Sequence, residues 1–334
     1  MESNNNHKGF KFVSLKGSPS YLSSNLTTNG DFFVYASNAE PLNRLYFFDK
    51  VLLEKGETSN ISQLYKDFLS IHNVNYVLMN GTWHLVLACT KIAHVWNFNG
   101  SRLLTFIEKE TTVEFKPYAF TASAGVATAK GDHEVIAIGS NFGEIFFVEN
   151  STGSYTKKDV ARLKTEDPIV AMASCKDTLA VASAAGSITL YKCEGLGSLE
   201  AAQFIDTQDN VPISCLQRLF RGSSLLVAGY SNGMVRMYTF SGTLVCELAA
   251  HSRSVNAIAC HPTKSIMATV GDDTFMHLFE VAGDTEEKLD VDLILSSRVN
   301  DLLLTGVVFG GEQSSSVVAV PYDYSTLVLW DSVI

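Results

Sequence analysis

The sequence is short of charge: Asp, Glu, Lys and Arg together make up 18% of it, against 46% apolar residues. A charged fraction of about 25% is usual, so a chain this poor in charge buries most of its surface, and long disordered segments are excluded. Long hydrophobic runs are missing too. The strongly apolar stretches are about four to eight residues long and are broken by Gly, Ser, Asn or Asp, well short of a bilayer-spanning helix. No integral membrane association is expected. The opening MESNNNHKG lacks the apolar core of a secretory signal, which points to a cytoplasmic protein. Sequons at Asn25, Asn60, Asn80, Asn99 and Asn150 then read as turn residues that happen to precede Ser or Thr. There is no C-x-x-C pair. Cys89, Cys175, Cys193, Cys215, Cys246 and Cys260 are scattered, mostly inside apolar runs, and read as small buried hydrophobes rather than disulfides or zinc ligands. Basic residues are outnumbered, 25 to 35, for a net charge of −10. That excludes a protein that grips nucleic acid through its phosphates.

What is present is a repeat. Short β-rich runs end on a large residue at Phe48, Trp96, Val148, Tyr191, Tyr238, Phe279 and Trp330, at steps of 41 to 52 residues. Before each lies a turn, and before the turn a second apolar run, from FFVYA (32–36) through LLVAG (225–229) to VVAV (317–320). Gly143, Gly186, Gly233 and Thr274 stand five residues before the end of their runs. Strand, tight turn and strand make a hairpin, and Asn232-Gly233 is a strong turn signal for one. An earlier strand such as SVNAIAC (254–260) and a later one such as TLVCELA (243–249) bring each unit to four. Strands apolar on both faces suit sheets stacked between sheets, and seven such sheets around an axis make an all-β, seven-bladed propeller. The blades fall at about 17–57, 72–109, 117–165, 168–207, 211–250, 253–294 and 297–334.

The last unit runs out of chain after its third strand. GFKFVSL (9–15) alternates apolar and polar residues and is expected to supply the missing outer strand, closing the ring by its N-terminal strand and removing two exposed edges. Phe10, Phe12, Val13 and Leu15 should then be buried against blade seven. One segment breaks the pattern: TSNISQLYKDFLSI (58–71) places Ile61, Leu64, Tyr65, Phe68 and Leu69 at helical spacing. It reads either as a short helix between blades one and two or as a fourth strand and a long loop.

The clearest repeat signature lies in AGYSNGMVRMY (228–238), ELAAHSRSVNAIA (247–259) and GDDTFMHLF (271–279). It resembles the WD-repeat family. In that pattern a His, a strand Ser or Thr, a turn Asp and a Trp form a hydrogen-bonded chain across the blade. The resemblance assigns His251, Thr269 and Asp273 to the first three places, a structural tetrad short of one member, because Phe279 fills the Trp place without an N–H. Other blades depart further: where the family prefers Asp, Asn232, Ala185, Thr90 and Tyr324 stand. Only Trp96 and Trp330 keep the Trp. The array is expected to rely on packing more than on buried polar networks.

Catalytic patterns are absent from the sequence: no G-x-S-x-G, H-E-x-x-H or Gly-rich phosphate loop occurs, and no polar residue recurs at one blade position as a propeller enzyme would need. No catalytic residue, cofactor or metal is assigned. His94 and His277 share a strand position and read as packing between blades; Asp272-Asp273 reads as a turn. Phe220-Arg221-Gly222 comes near the F-R-R-G signature of phosphoinositide-binding propellers with one Arg too few. DTEEKLDVD (284–292) and KKDVARLK (157–164) read as solvated outer strands. The expected function is therefore a non-catalytic scaffold or adaptor that binds other proteins, the alternatives being a phosphoinositide- or vesicle-associated propeller or a propeller hydrolase. Aromatic residues and Arg dominate interface energetics. On the face built from the hairpin turns and the loops entering each blade, the candidate anchors are Phe142, Tyr230, Arg253, Arg298, Tyr322 and Tyr324.

Overall fold

A computed structural model describes residues 9–39, 42–50, 62–110, 116–131, 133–151, 153–195, 198–206, 210–285 and 288–334. These residues form seven four-stranded sheets, antiparallel throughout. Blade one holds Thr27–Thr28, Phe32–Ser37, Asn43–Asp49 and Ser62–Asp67. Blades two to six span 71–108, 120–162, 169–205, 213–249 and 255–298. Within each of these six blades the strands neighbour one another in chain order. The first strands of successive blades touch, and residues from all seven line one axial cavity, Leu26, Val74, Ala122, Ala171, Leu216, Ile258 and Val307 among them.

The strand faces explain the arrangement. Leu225–Tyr230 and Ser316–Pro321 are buried at every position. Side chains of a strand point alternately to its two faces, so complete burial requires a cover on both sides. Neighbouring blades supply it. Seven apolar clusters occupy the seven gaps between adjacent blades, one gap each. The core is a ring of seams around the axis.

The seam between the chain's two ends is closed by Lys11–Ser14, which pairs antiparallel with Thr326–Trp330, Lys11 opposite Leu329 and Ser14 opposite Thr326. The outer strand of blade seven therefore comes from the start of the chain. Val13 and Leu15 join the cluster facing blade one. Phe12 does not follow them and is 57% exposed. Its face of the strand looks toward blade six, and there only Phe10 reaches the cluster around Trp330, its ring 5.8 Å from the indole. Phe12 meets the Phe10 ring edge-on at 5.3 Å.

Within 58–71 the described residues take the strand alternative. Ser62–Asp67 is the outer strand of blade one, with Leu45 opposite Tyr65; residues 58–61 lie outside the described residues. The outer edge of Asn43–Asp49 presents backbone donors and acceptors that a strand satisfies and a helix does not. Tertiary pairing thus overrides the helical spacing, and Phe68, apolar-face in the helical reading, is 78% exposed. Among the described residues, no helix is long and apolar enough to cross a membrane.

Burial of Val13 and Leu15 contributes about 3 to 6 kcal/mol at most, a large share of a domain's stability of about 5 to 15 kcal/mol. Deleting residues 1–17 is expected to lower the thermal unfolding midpoint and to produce self-associating protein, because the edge of Thr326–Trp330 is left unpaired. Size-exclusion chromatography and a melt check this. A deleted chain that remains monomeric and equally heat-stable contradicts the closure.

Candidate functional site

One face of the ring is built from the hairpin turns between second and third strands and the loops that enter each blade. Its turns share a backbone conformation: Lys91, Gly143, Gly186, Gly233 and Thr274 all have positive φ. The incoming loop then donates an N–H to the carbonyl of the turn residue, His251 to Gly233 at 3.0 Å, Leu163 to Gly143 at 2.8 Å and Val299 to Thr274 at 2.8 Å. At Gly233 the approach is closest. A Cβ there would lie 2.0 Å from the His251 carbonyl oxygen, so the turn accepts only glycine.

Blade six holds the polar chain. His251 Nδ1 lies 2.8 Å from Asp273 Oδ1 and its Nε2 2.9 Å from Thr269 Oγ1. Asp273 also accepts the backbone N–H groups of Ser252 at 2.9 Å and Phe275 at 3.3 Å. Burial pushes the Asp273 carboxyl up, but the His251 hydrogen bond and charge and the two N–H groups outweigh it and hold the pKa at about 2. Phe279 occupies the place beyond Thr269, 8% exposed, and the chain of hydrogen bonds ends there. His277 faces Thr269 across the hairpin, its ring 4.8 Å from that of His251 and stacked on Phe275 at 5.4 Å. Among the described residues its buried Nδ1 has no partner. Burial first, then the His251 charge, pushes His277 down to about 4, with Asp273 opposing. His251, Asp273 and His277 offer ligand atoms within 4.8 Å of one another. Both nitrogens of His251 are already engaged, so a cation would have to displace Asp273 or Thr269.

Four of the six candidate anchors are exposed on this face. Arg298 donates from Nε to Thr274 Oγ1 at 3.3 Å, with its guanidinium 5.9 Å from the Phe275 ring. Tyr322 is 44% and Tyr324 57% exposed, and Arg253 is exposed beside the Gly233 turn. Phe142 sits apart in blade three, half-buried, stacked on Tyr118 at 5.3 Å and covered by the Lys116 ammonium at 4.3 Å. Tyr230 is not on the surface at all. It is fully buried in the seam between blades four and five, its hydroxyl 2.9 Å from that of Tyr238 and its ring 4.8 Å from the Arg236 guanidinium. It closes a strand whose every residue is covered by a neighbouring blade, and its role is packing.

Two residues that sequence patterns do not single out join the exposed anchors together. Tyr21, 51% exposed, donates its hydroxyl to Asp272 Oδ2 at 2.8 Å and meets the Tyr322 ring edge-on at 5.6 Å. Burial, the Asp272 hydrogen bond and its charge raise the Tyr21 phenol to about 12. Asn256, 3% exposed, donates to the other Asp272 oxygen at 2.7 Å and to the Leu304 carbonyl at 2.9 Å. Asp272 is thus more than a turn residue: it ties blade six to blade seven and to the loop behind the N-terminal strand. Asn256 was visible as the one amide inside SVNAIAC. Nothing in the sequence marks Tyr21. Arg298, the 272–274 turn, Tyr21 and Tyr322 consequently form one unbroken chain of contacts across the blade six–seven edge.

The family described as WDR54 matches residues 126–333. WD repeat domain 54 of Rattus norvegicus is 28% identical over 125 residues, 37% of this chain and 36% of that protein. WD repeat-containing protein 54 of Homo sapiens has the same identity over the same shares; the aligned stretch spans about a third of the length of these relatives. A chain in the crystal structure of the mitotic checkpoint complex superposes with a TM-score of 0.71 at 11% identity, covering 99% of this chain and 98% of its own. At that identity the likeness is one of fold.

His251→Ala leaves Thr269 and Asp273 short of a buried partner and is expected to cost about 1 to 3 kcal/mol, read from denaturant unfolding; an unchanged midpoint would show that the three residues are not coupled. His277 adds a pH dependence. Its folded pKa of about 4 lies below the ordinary 6.5, so the folded protein binds fewer protons than the unfolded chain between those values. Stability contributed by the neutral ring is therefore lost as pH falls through that window. Asp273 acts at lower pH, its contribution fading only as pH falls from 3.8 toward about 2. The variant His277→Phe is expected to melt above the wild type below about pH 5 and close to it near neutrality. Equal acid sensitivity in the two proteins would refute the depressed histidine.

Proposed function

The chain belongs to the WDR54 family, and on that footing we propose that it is a non-catalytic scaffold that holds segments of other proteins on the face bearing Arg253, Arg298, Tyr322 and Tyr324. The supporting observation is the contact chain from Arg298 through Asp272 and Tyr21 to Tyr322. Aromatic and Arg side chains held this way lose little rotamer freedom on binding, and the ring beneath them is packed at every seam. A cytoplasmic location belongs to the same proposal.

The phosphoinositide alternative loses ground at Arg221, whose guanidinium donates to the Gly283 carbonyl and is the only Arg of its triplet. The hydrolase alternative needs three or more acids or histidines converging at one point of the axis; Glu134, Asp177 and His261 line the axial cavities, but among the described residues the group of three within reach of one another is His251, Asp273 and His277, outside them.

Proximity labelling followed by pull-down with the purified chain identifies the principal partner. Arg298→Ala combined with Tyr322→Ala is expected to weaken that partner at least about tenfold while changing stability by about 0.5 kcal/mol or less, as surface substitutions do. Full retention of binding would move the site off this face.

A further inference from the structure

The opposite face carries a different chemistry. There the turns between first and second strands surround the mouth of the axial channel, a cavity of about 830 Å³ lined by Tyr76, Leu78, Trp83, Lys130, Lys176 and Arg218. The three cations are exposed, and among the described residues none of them is in an ion pair. Among the described residues two carboxylates also line the cavity. Glu134 Oε2 accepts the Asn80 backbone N–H at 2.6 Å, and Asp177 Oδ1 pairs with Lys192 at 2.9 Å, whose hydrogen bond keeps the Asp177 carboxyl below its usual range. Three cations against Glu134, the one lining carboxylate that no described cation pairs, leave the described lining of the mouth net positive, in a protein whose net charge is −10. Apolar surface stands beside them: Leu78 is 42%, Trp83 37% and Phe220 43% exposed. Trp83 and Arg218 also line the adjoining axial cavity, with Phe220.

We propose that this mouth is a second docking surface, for an acidic peptide segment carrying apolar side chains. Charge complementarity selects the occupant. A concave, low-dielectric site lined by cations focuses its field on an approaching anion, while the acidic remainder of the surface repels that anion elsewhere. The aromatic and aliphatic groups at the rim then hold what the charges attract. A nucleic-acid strand is a poorer fit, because it needs cations along its whole path and meets a net negative protein beyond these three. The same repulsion disfavours an anionic membrane, whose surface extends well past the mouth.

The test uses the full chain and a fluorescein-labelled peptide of alternating Glu and Leu, followed by anisotropy, with the Lys–Leu counterpart as control. The Glu–Leu peptide is expected to bind, to weaken as salt rises, and to lose at least about tenfold in affinity in the triple variant Lys130→Glu/Lys176→Glu/Arg218→Glu. Trp83→Ala is expected to weaken it with the salt dependence intact. Should the triple reversal disturb the fold by circular dichroism, Lys130→Gln/Lys176→Gln/Arg218→Gln replaces it with the same expected direction. The Arg298→Ala/Tyr322→Ala protein is expected to bind the peptide as wild type does, so failure on the other face leaves this result untouched. The proposal is overturned by no binding to the wild type, by equal binding of the Lys–Leu peptide, by equal affinity in correctly folded charge variants, or by loss of binding in Arg298→Ala/Tyr322→Ala. Tighter binding of oligothymidylate, or of phosphatidylcholine–phosphatidylserine vesicles, overturns it as well.

Discussion

Each blade is apolar on both faces, and everything else in the molecule follows from that. A four-stranded sheet with two greasy faces has no stable form alone in water; it needs a neighbour on each side, and those neighbours need neighbours in turn. An open stack would leave two such faces exposed, so the arrangement is stable only when the last face meets the first. The strand Lys11–Ser14 completes the blade that makes this meeting, adding Val13 and Leu15 to the seam with blade one. Closure is therefore not an ornament on a finished fold. It is the condition under which seven separate seams become one core.

Packing carries more of this than hydrogen bonding does. Trp96 and Trp330 keep the indole of the repeat, yet among the described residues the buried N–H of each has no acceptor. An unsatisfied buried donor costs about 1 to 3 kcal/mol, which the area of a buried Trp repays. Trp330, fully buried between blades six and seven, acts as a wedge. The complete part of the polar chain sits where the same blade also makes the cross-links to its neighbour, with Asp272 bonded to Tyr21 and Asn256 and Asp273 bonded to His251. Two adjacent carboxylates thus serve two networks, one within the blade and one between blades.

Much of this was legible in the sequence because a repeat multiplies weak signals. One Gly before a strand says little; Gly143, Gly186 and Gly233 at the same offset mark a turn conformation, and Lys91 and Thr274 adopt it without the glycine. Register irregularities are recurrent too, between Ile71 and Asn73, Phe120 and Ala122, Ile169 and Ala171, Ile213 and Cys215, Val255 and Ala257, and Leu304 and Gly306. No residue type marks them, because a bulge depends on backbone pairing rather than on side-chain preference. Tyr230 and Phe12 fail for one common reason. Alternation tells which residues share a face, but what stands opposite that face is a tertiary fact. For Tyr230 it is a packed blade; for Phe12 it is mostly water.

The same rigidity separates the two ends of the channel. A blade cannot tilt to reshape one mouth without opening the seams on both of its sides, each a packed cluster whose loss exposes several large side chains. At the hairpin-turn face recognition can draw on groups whose positions are set in advance, which lowers the ordering cost of binding. There Arg298 is held by Thr274 and Tyr21 by Asp272. At the other mouth Lys130, Lys176 and Arg218 are long cations on exposed turns and strand ends, adaptable in reach and constrained only in sign. One end offers shape and aromatic edges, the other offers charge. On the two proposals above, a rigid ring carrying these chemistries on opposite faces would keep two chemically unlike segments apart.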